Sequence, residues 1–66
     1  MRLIVNGEPR EAPDKATLAD LLALLEIDGR RVAVERNREI APRSLWPEIA
    51  LKDGDQLEIV QFVGGG

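Results

Sequence analysis

A single leucine-rich helix pattern interrupts a chain whose other apolar stretches favour β-strands. Leu18, Leu21, Leu22 and Leu25 stand at i, i+3, i+4 and i+7, which places them on one face of an α-helix. A helix with one apolar face must bury it against a second layer, and the neighbouring strand-forming segments offer a sheet. The sequence therefore predicts an α+β domain in which one helix packs across one face of a sheet.

The first two strands are predicted from the turn that joins them. Residues 2–6 are β-rich and end in Asn6-Gly7, the strongest short-range hairpin pattern. Residues 8–12 form the return strand. Pro9 lacks an amide hydrogen, which places that strand at a sheet edge or the proline at a bulge.

The helix boundaries are predicted from capping residues. Thr17 is a favourable N-cap, and Asp20 three residues later completes a capping-box pattern. Asp28-Gly29 supplies the expected C-terminal stop, because glycine fits the left-handed conformation that ends many helices.

The second half of the chain predicts three strands. Residues 31–36 alternate in polarity, as a half-buried strand does, and a short strand at 39–41 and a last strand at 56–62 follow. In this order the first and last strands can pair in parallel at the sheet centre, with the helix covering them through a right-handed crossover. The predicted architecture is the β-grasp, or ubiquitin-like, fold, with a mixed sheet of four or five strands over residues 1–62.

Composition limits the classes of function. The 66 residues include no His and no Cys, so we expect no disulfide, no metal site and no catalysis by this chain alone. No apolar run approaches the roughly 20 residues of a membrane span, and no leading signal segment is present, which predicts a cytoplasmic protein without membrane contact. The net charge of −3 argues against a nucleic-acid partner.

The basic residues are unevenly distributed. Five of the nine fall between positions 30 and 43. Charged side chains are mostly solvated, which makes a solvent-exposed face the favoured interpretation and a docking patch the alternative. The five are Arg30, Arg31, Arg36, Arg38 and Arg43.

Three glycines, Gly64, Gly65 and Gly66, follow Val63 directly after the last strand. Glycine has no side chain to bury and loses much backbone freedom when ordered, so we expect residues 63–66 to form a flexible reactive tail outside the packed domain. When extended, these four residues span roughly 13 Å. Without side chains, the glycines could enter a narrow channel in another protein. A frayed end without a function is the alternative.

The chain resembles the ubiquitin-like sulfur carriers, and among them the ThiS family of thiamin biosynthesis. The resemblance rests on Val5-Asn6-Gly7, on the stretch Glu-Arg-Asn-Arg-Glu-Ile at residues 35–40 with Pro-Arg at 42–43, and on residues 53–66. These stretches cover most of the chain.

The resemblance implies a carrier whose Gly66 carboxylate is modified and restored. A ThiF-like, ubiquitin-activating-type enzyme would adenylate it with ATP, a sulfur donor protein would supply the sulfur of a C-terminal thiocarboxylate, and a ThiG-like thiazole synthase would receive that sulfur. ATP and magnesium belong to the adenylating enzyme, so no cofactor is expected on this chain.

Strand alternation identifies candidate docking residues. If Leu57 and Ile59 face the helix, then Val60 and Phe62 point to the opposite face of the sheet. Clustered apolar residues on an exposed face are typical of an interaction site, so we expect both to dock on the partner and guide Gly66 inward. Their alternative role is that of ordinary residues on a partly covered sheet face.

Three other functions remain open. A sulfur carrier for molybdopterin would share the fold and the tail, although the short length and the Glu-Arg-Asn stretch favour thiamin. A ubiquitin-like modifier would be joined through Gly66 to lysines of target proteins. A β-grasp module that binds RNA or a small ligand would not need the terminal glycines.

Overall fold

The computed structural model of the chain describes residues 1–62, and the predicted tail residues Val63, Gly64, Gly65 and Gly66 lie outside that range. The strands are β1 (Arg2–Val5), β2 (Glu8–Glu11), β3 (Val32–Arg36), β4 (Glu39–Ile40) and β5 (Gln56–Gln61), the helix is α1 (Leu18–Leu24), and 3₁₀ segments cover Gly29–Arg31 and Arg43–Glu48.

Residues 1–62 form a five-stranded mixed sheet in the order β2-β1-β5-β3-β4. The first and last strands pair in parallel in the middle of the sheet, and the other neighbours are antiparallel. The predicted α+β, β-grasp architecture is confirmed. The central strand, β5, is the last element of the chain before the predicted tail.

The first hairpin forms as its turn residues predict. Asn6 and Gly7 have φ angles of 50° and 81°, and positive values at both central positions match the type I′ turn that suits the twist of two paired strands. Pro9 lies opposite Ile4 in β2, which is an edge strand, so its missing amide hydrogen leaves no ladder bond unmade within the sheet.

The helix begins as predicted but ends earlier. The Thr17 side chain accepts a hydrogen bond from the Asp20 amide at 3.1 Å, and the Asp20 carboxylate accepts one from the Thr17 amide at 2.9 Å. The predicted stop at Asp28-Gly29 is wrong, because the chain leaves the helix after Leu25 with Glu26 at a φ of 58°.

A Schellman motif explains the early end of the helix. The Ile27 amide donates to the Leu22 carbonyl and the Glu26 amide donates to the Ala23 carbonyl. Ile27 also packs against the core, and this apolar contact holds Glu26 in a conformation that glycine would adopt more easily. Asp28 instead caps the following 3₁₀ segment by accepting from the Arg30 amide at 3.0 Å.

Gly29 is needed for close packing. A Cβ atom at Gly29 would lie 2.8 Å from Cζ3 of Trp46, a distance too short for any side chain. The Trp46 ring is buried and its Nε1 donates to the Ala41 carbonyl at 2.8 Å. The indole therefore closes one end of the core beneath the Arg43–Glu48 segment.

The core lies between α1 and the inner face of the sheet. It consists mainly of aliphatic side chains, as a chain without cysteine requires. Its buried members are Leu3, Val5, Ala12, Ala16, Leu18, Leu21, Leu22, Val32, Val34, Ala41, Trp46, Leu51 and Leu57. In the part of the chain that the structure describes, no helix is long and apolar enough to cross a membrane.

Candidate functional site

The end of β5 carries the two predicted docking residues on the face away from the helix. Leu57 is buried and Ile59 partly buried on the inner face. Val60 and Phe62 are 60% and 57% exposed. Both side chains are exposed, as alternation predicts, whereas their docking role stays a prediction.

Two further apolar side chains share that outer face. Directly opposed residues of antiparallel strands point the same way, so Ala33 accompanies its partner Val60, and Ile40 accompanies its partner Glu35. Ile40 is 68% exposed. We call Ala33, Ile40, Val60 and Phe62 the outer patch. The sequence analysis missed Ile40, which can be found only once the register of β3 with β4 is known.

Asn6 holds β5 beyond the point where β1 ends. Its backbone amide donates to the Leu57 carbonyl at 2.9 Å. Its side-chain Oδ1 then accepts from the Ile59 amide at 2.7 Å, and Nδ2 donates to the Ile59 carbonyl at 3.2 Å. A carboxamide carries the same donor and acceptor as a peptide group, so Asn6 continues the ladder of β1 by one residue.

Asn37 holds the opposite end of β5, together with a buried carboxylate. Asn37 Oδ1 accepts from the Gln56 amide at 3.0 Å, and its Nδ2 donates to Asp55 at 3.1 Å. Asp55, only 6% exposed, also accepts from Arg36 Nε and from the Lys52 amide, each at 2.9 Å. The carboxylate therefore ties the start of β5 to the end of β3.

The contacts of Asp55 also set its charge state. Burial by itself raises the pKa of this carboxyl, but the hydrogen bonds from the Lys52 amide, Asn37 and Arg36, with the charge of Arg36, outweigh it and lower the pKa below its ordinary value. Asp55 is thus a charged structural group at neutral pH.

The cluster of arginines is largely engaged within the protein. Arg30 and Arg31 pair with Asp28, with nitrogen–oxygen distances of 3.1 and 3.7 Å. Arg43 lies 5.8 Å from the ring centroid of Trp46, and a fourth arginine belongs to the carboxylate network described above. The side chains of Arg30 and Arg31 are nevertheless 84% and 74% exposed, which fits the solvent-exposed face favoured above, and a docking patch stays the alternative.

The described residues offer little for catalysis. No group of three or more potential metal ligands occurs among residues 1–62. An open groove of about 590 Å³ beside the end of β5 is lined by side chains of both charges, including Glu8, Arg10, Glu26 and Arg31. The outer patch and the strand that leads into residues 63–66 are therefore the strongest candidates for function, and they are suited to binding a protein.

Comparisons with known proteins relate the chain to a protein family. The model of the ThiS family matches residues 3–66. The sulfur carrier protein ThiS of Bacillus subtilis strain 168 is 47% identical over 65 residues, which cover 97% of this chain and 98% of that protein.

Two thiazole synthases also contain a similar region. The one from Paramagnetospirillum magneticum is 52% identical over 66 residues and the one from Magnetococcus marinus is 41% identical. This chain spans 20% of the length of each. Among solved structures, the crystal structure of the thiamine biosynthesis protein ThiS from Geobacter metallireducens superposes with a TM-score of 0.86 at 35% identity, and the match covers 100% of both chains.

Proposed function

The chain belongs to the ThiS family, and from this membership we propose that it is a sulfur carrier in the formation of the thiamin thiazole ring. The observation that carries the proposal is the similarity to the Bacillus subtilis sulfur carrier along nearly the whole of both chains. It acts as a carrier and co-substrate, and the enzymes it serves perform the catalysis. The proposed site of action is the cytoplasm.

The chemistry takes place at the carboxyl group of Gly66. A carboxylate is a poor electrophile, because its charge repels nucleophiles and oxide is a poor leaving group. A carboxylate oxygen therefore attacks the α-phosphorus of ATP, and pyrophosphate leaves with the electron pair of the broken P–O bond. A sulfur nucleophile on the donor protein then attacks the carbonyl carbon, and AMP leaves. That nucleophile is the outer sulfur of a persulfide, so the product is an acyl disulfide. A thiol then attacks the donor's sulfur, the S–S bond breaks with its electron pair on the acyl-bound sulfur, and the thiocarboxylate leaves while the thiol forms a disulfide with the donor.

In this proposal, the part of the chain that binds the partner is distinct from the part that reacts. The outer patch at the end of β5 docks on the partner, with Val60 and Phe62 as its central contacts. Residues 63–66, which span roughly 13 Å when extended, then carry the carboxyl group from the docked domain to the reaction centre. Because the glycines have no Cβ, they fit a passage that would exclude other residues.

The partners are an ATP-dependent adenylating enzyme, a sulfur donor protein and a thiazole synthase. The two thiazole synthases with a region similar to this whole chain support the last of these. ATP and magnesium bind to the adenylating enzyme, and this chain carries no cofactor. Neither nucleic acid nor membrane takes part.

Intact-mass spectrometry tests the proposal. The chain is incubated with ATP, a matching adenylating enzyme and a sulfur source. We expect its mass to rise by the difference between a sulfur and an oxygen atom, and only when ATP is present. An unchanged mass, or covalent conjugates to lysines of other proteins, would count against the carrier function; conjugates would favour the modifier.

A further inference from the structure

Asn6 has a second role that its place in a turn does not require. A type I′ turn needs a residue that tolerates a positive φ, and glycine meets that need as well as asparagine. The two bonds to Ile59, in contrast, need a side chain with both a donor and an acceptor. Aspartate could accept from the Ile59 amide but could not donate to its carbonyl.

The contact between Asn6 and Ile59 lies at the point where β5 stops being hydrogen-bonded on both sides and continues with bonds to β3 alone. Toward β3, the strand stays paired to its end, where the Phe62 amide donates to the Arg31 carbonyl at 2.8 Å. Toward β1, Asn6 makes the last backbone contact that the structure gives for residues 1–62. Val60 and Phe62 follow at once, and the tail begins directly after them.

We infer that Asn6 is a positioning residue for the carrier reaction: its carboxamide fixes the end of β5 so that the outer patch and the tail reach the adenylating enzyme in one orientation. This inference rests on the proposed function. Val60 and Phe62 lie one and three residues after Ile59, so a rotation of the strand at Ile59 changes the direction in which the outer patch and the start of the tail are presented to the partner.

Asn37 provides a matched control. It has nearly the same backbone conformation, with a φ of 51° against 50° for Asn6. Its side chain likewise bonds a backbone amide of β5, that of Gln56 at 3.0 Å, but at the end of the strand remote from the tail. Replacing each by glycine preserves the turn and removes the carboxamide.

The test is ATP–pyrophosphate exchange by the adenylating enzyme with the native chain, Asn6→Gly, Asn6→Asp and Asn37→Gly, at a temperature where circular dichroism shows all four folded. We expect Asn6→Gly to raise KM for the carrier roughly tenfold, the order expected for losing hydrogen bonds of ordinary strength, and Asn6→Asp, which keeps the acceptor, to raise it less, with kcat little changed in both. Asn37→Gly should lower the denaturation midpoint and leave KM at the native value.

Three results would overturn the inference. They are a native KM for Asn6→Gly, an equal rise of KM for Asn37→Gly, or an Ile59 amide in the native chain that is not protected from hydrogen exchange. If the native chain supports no ATP–pyrophosphate exchange, the carrier function itself is refuted and the positioning role with it. That result differs from a failure of the inference about Asn6 alone, in which the native chain is active.

Discussion

Gly66 is the residue on which the proposed chemistry depends. Deleting it, or adding one residue after it, moves the carboxyl group by about 3.3–3.6 Å, and an error of about 1 Å can cost roughly 100-fold in rate. We expect both changes to abolish adenylation in the pyrophosphate-exchange assay while the free energy of unfolding stays native.

The control for length is Gly65→Ala, which keeps the carboxyl group at the same distance. Its loss of rate should be smaller, because it adds one methyl group to the passage. A chain lacking Gly66 that is adenylated as fast as the native chain would show that this carboxyl group is not the reacting one.

Phe62 is the second residue with a testable role. It is 57% exposed, so Phe62→Ala should change the free energy of unfolding little. An aromatic side chain that fills a partner's pocket often contributes about 2 kcal/mol or more to binding, so calorimetry should show clearly weaker binding to the adenylating enzyme. Gln61→Ala, on the neighbouring residue of opposite orientation, is the control and should bind normally; equal affinities of both variants would remove Phe62 from the interface.

At the scale of elements, α1 depends on its apolar face. Leu22 is buried, whereas Leu24, two residues on, is exposed. Leu22→Ala should lower the free energy of unfolding by about 2–5 kcal/mol, and Leu24→Ala by less than about 0.5 kcal/mol. Urea denaturation measures both, and matching midpoints would place Leu22 outside the core.

The start of β5 depends on Asp55. Asp55→Ala leaves the Lys52 amide, Asn37 and Arg36 without their acceptor, and should cost about 2–3 kcal/mol of unfolding free energy because these groups are partly buried. Asp53→Ala removes one exposed hydrogen bond to the Arg2 amide and should cost about 1 kcal/mol or less. Equal losses in urea denaturation would contradict a special role for Asp55.

Local patterns predicted the elements well where the cause is local. Asn6-Gly7 gave the first hairpin, and Thr17 with Asp20 gave the helix start, because those residues bond to neighbours within a few positions. The helix end was mispredicted because Glu26 occupies a conformation usually filled by glycine, held there by the packing of Ile27. Gly29 is explained by Trp46, a contact that no local pattern reveals.

At the scale of the whole molecule, acid should weaken the fold through Asp55. Its folded pKa is lowered, so its contribution is complete above the unfolded pKa of about 3.9 and is lost as the pH falls through the folded pKa. The difference in unfolding free energy between the native chain and Asp55→Ala should therefore be constant from neutral pH down to about pH 4 and shrink below it. A difference that stays the same down to pH 2 would contradict the pKa shift.

The site was predictable in part for the same reason as the fold. Parity along one strand places Val60 and Phe62 on the outer face, since alternation needs no knowledge of neighbours. Ile40 joins them only through the pairing of β3 with β4. The bonds from Asn6 to Ile59 join residues 53 positions apart. Such a contact follows from the order and register of the strands, which no local sequence pattern reveals.

The central position of β5 has a consequence for how the protein is made. Synthesis proceeds from the first residue onward, so β1 and β3 leave the ribosome before the strand that joins them exists. A chain interrupted before Gln56 cannot complete the sheet, and its unpaired strand edges expose it to aggregation and proteolysis. A chain must be synthesised through β5 to complete the sheet, so the step that completes the domain also delivers the segment that we propose as the binding site of the partner enzymes.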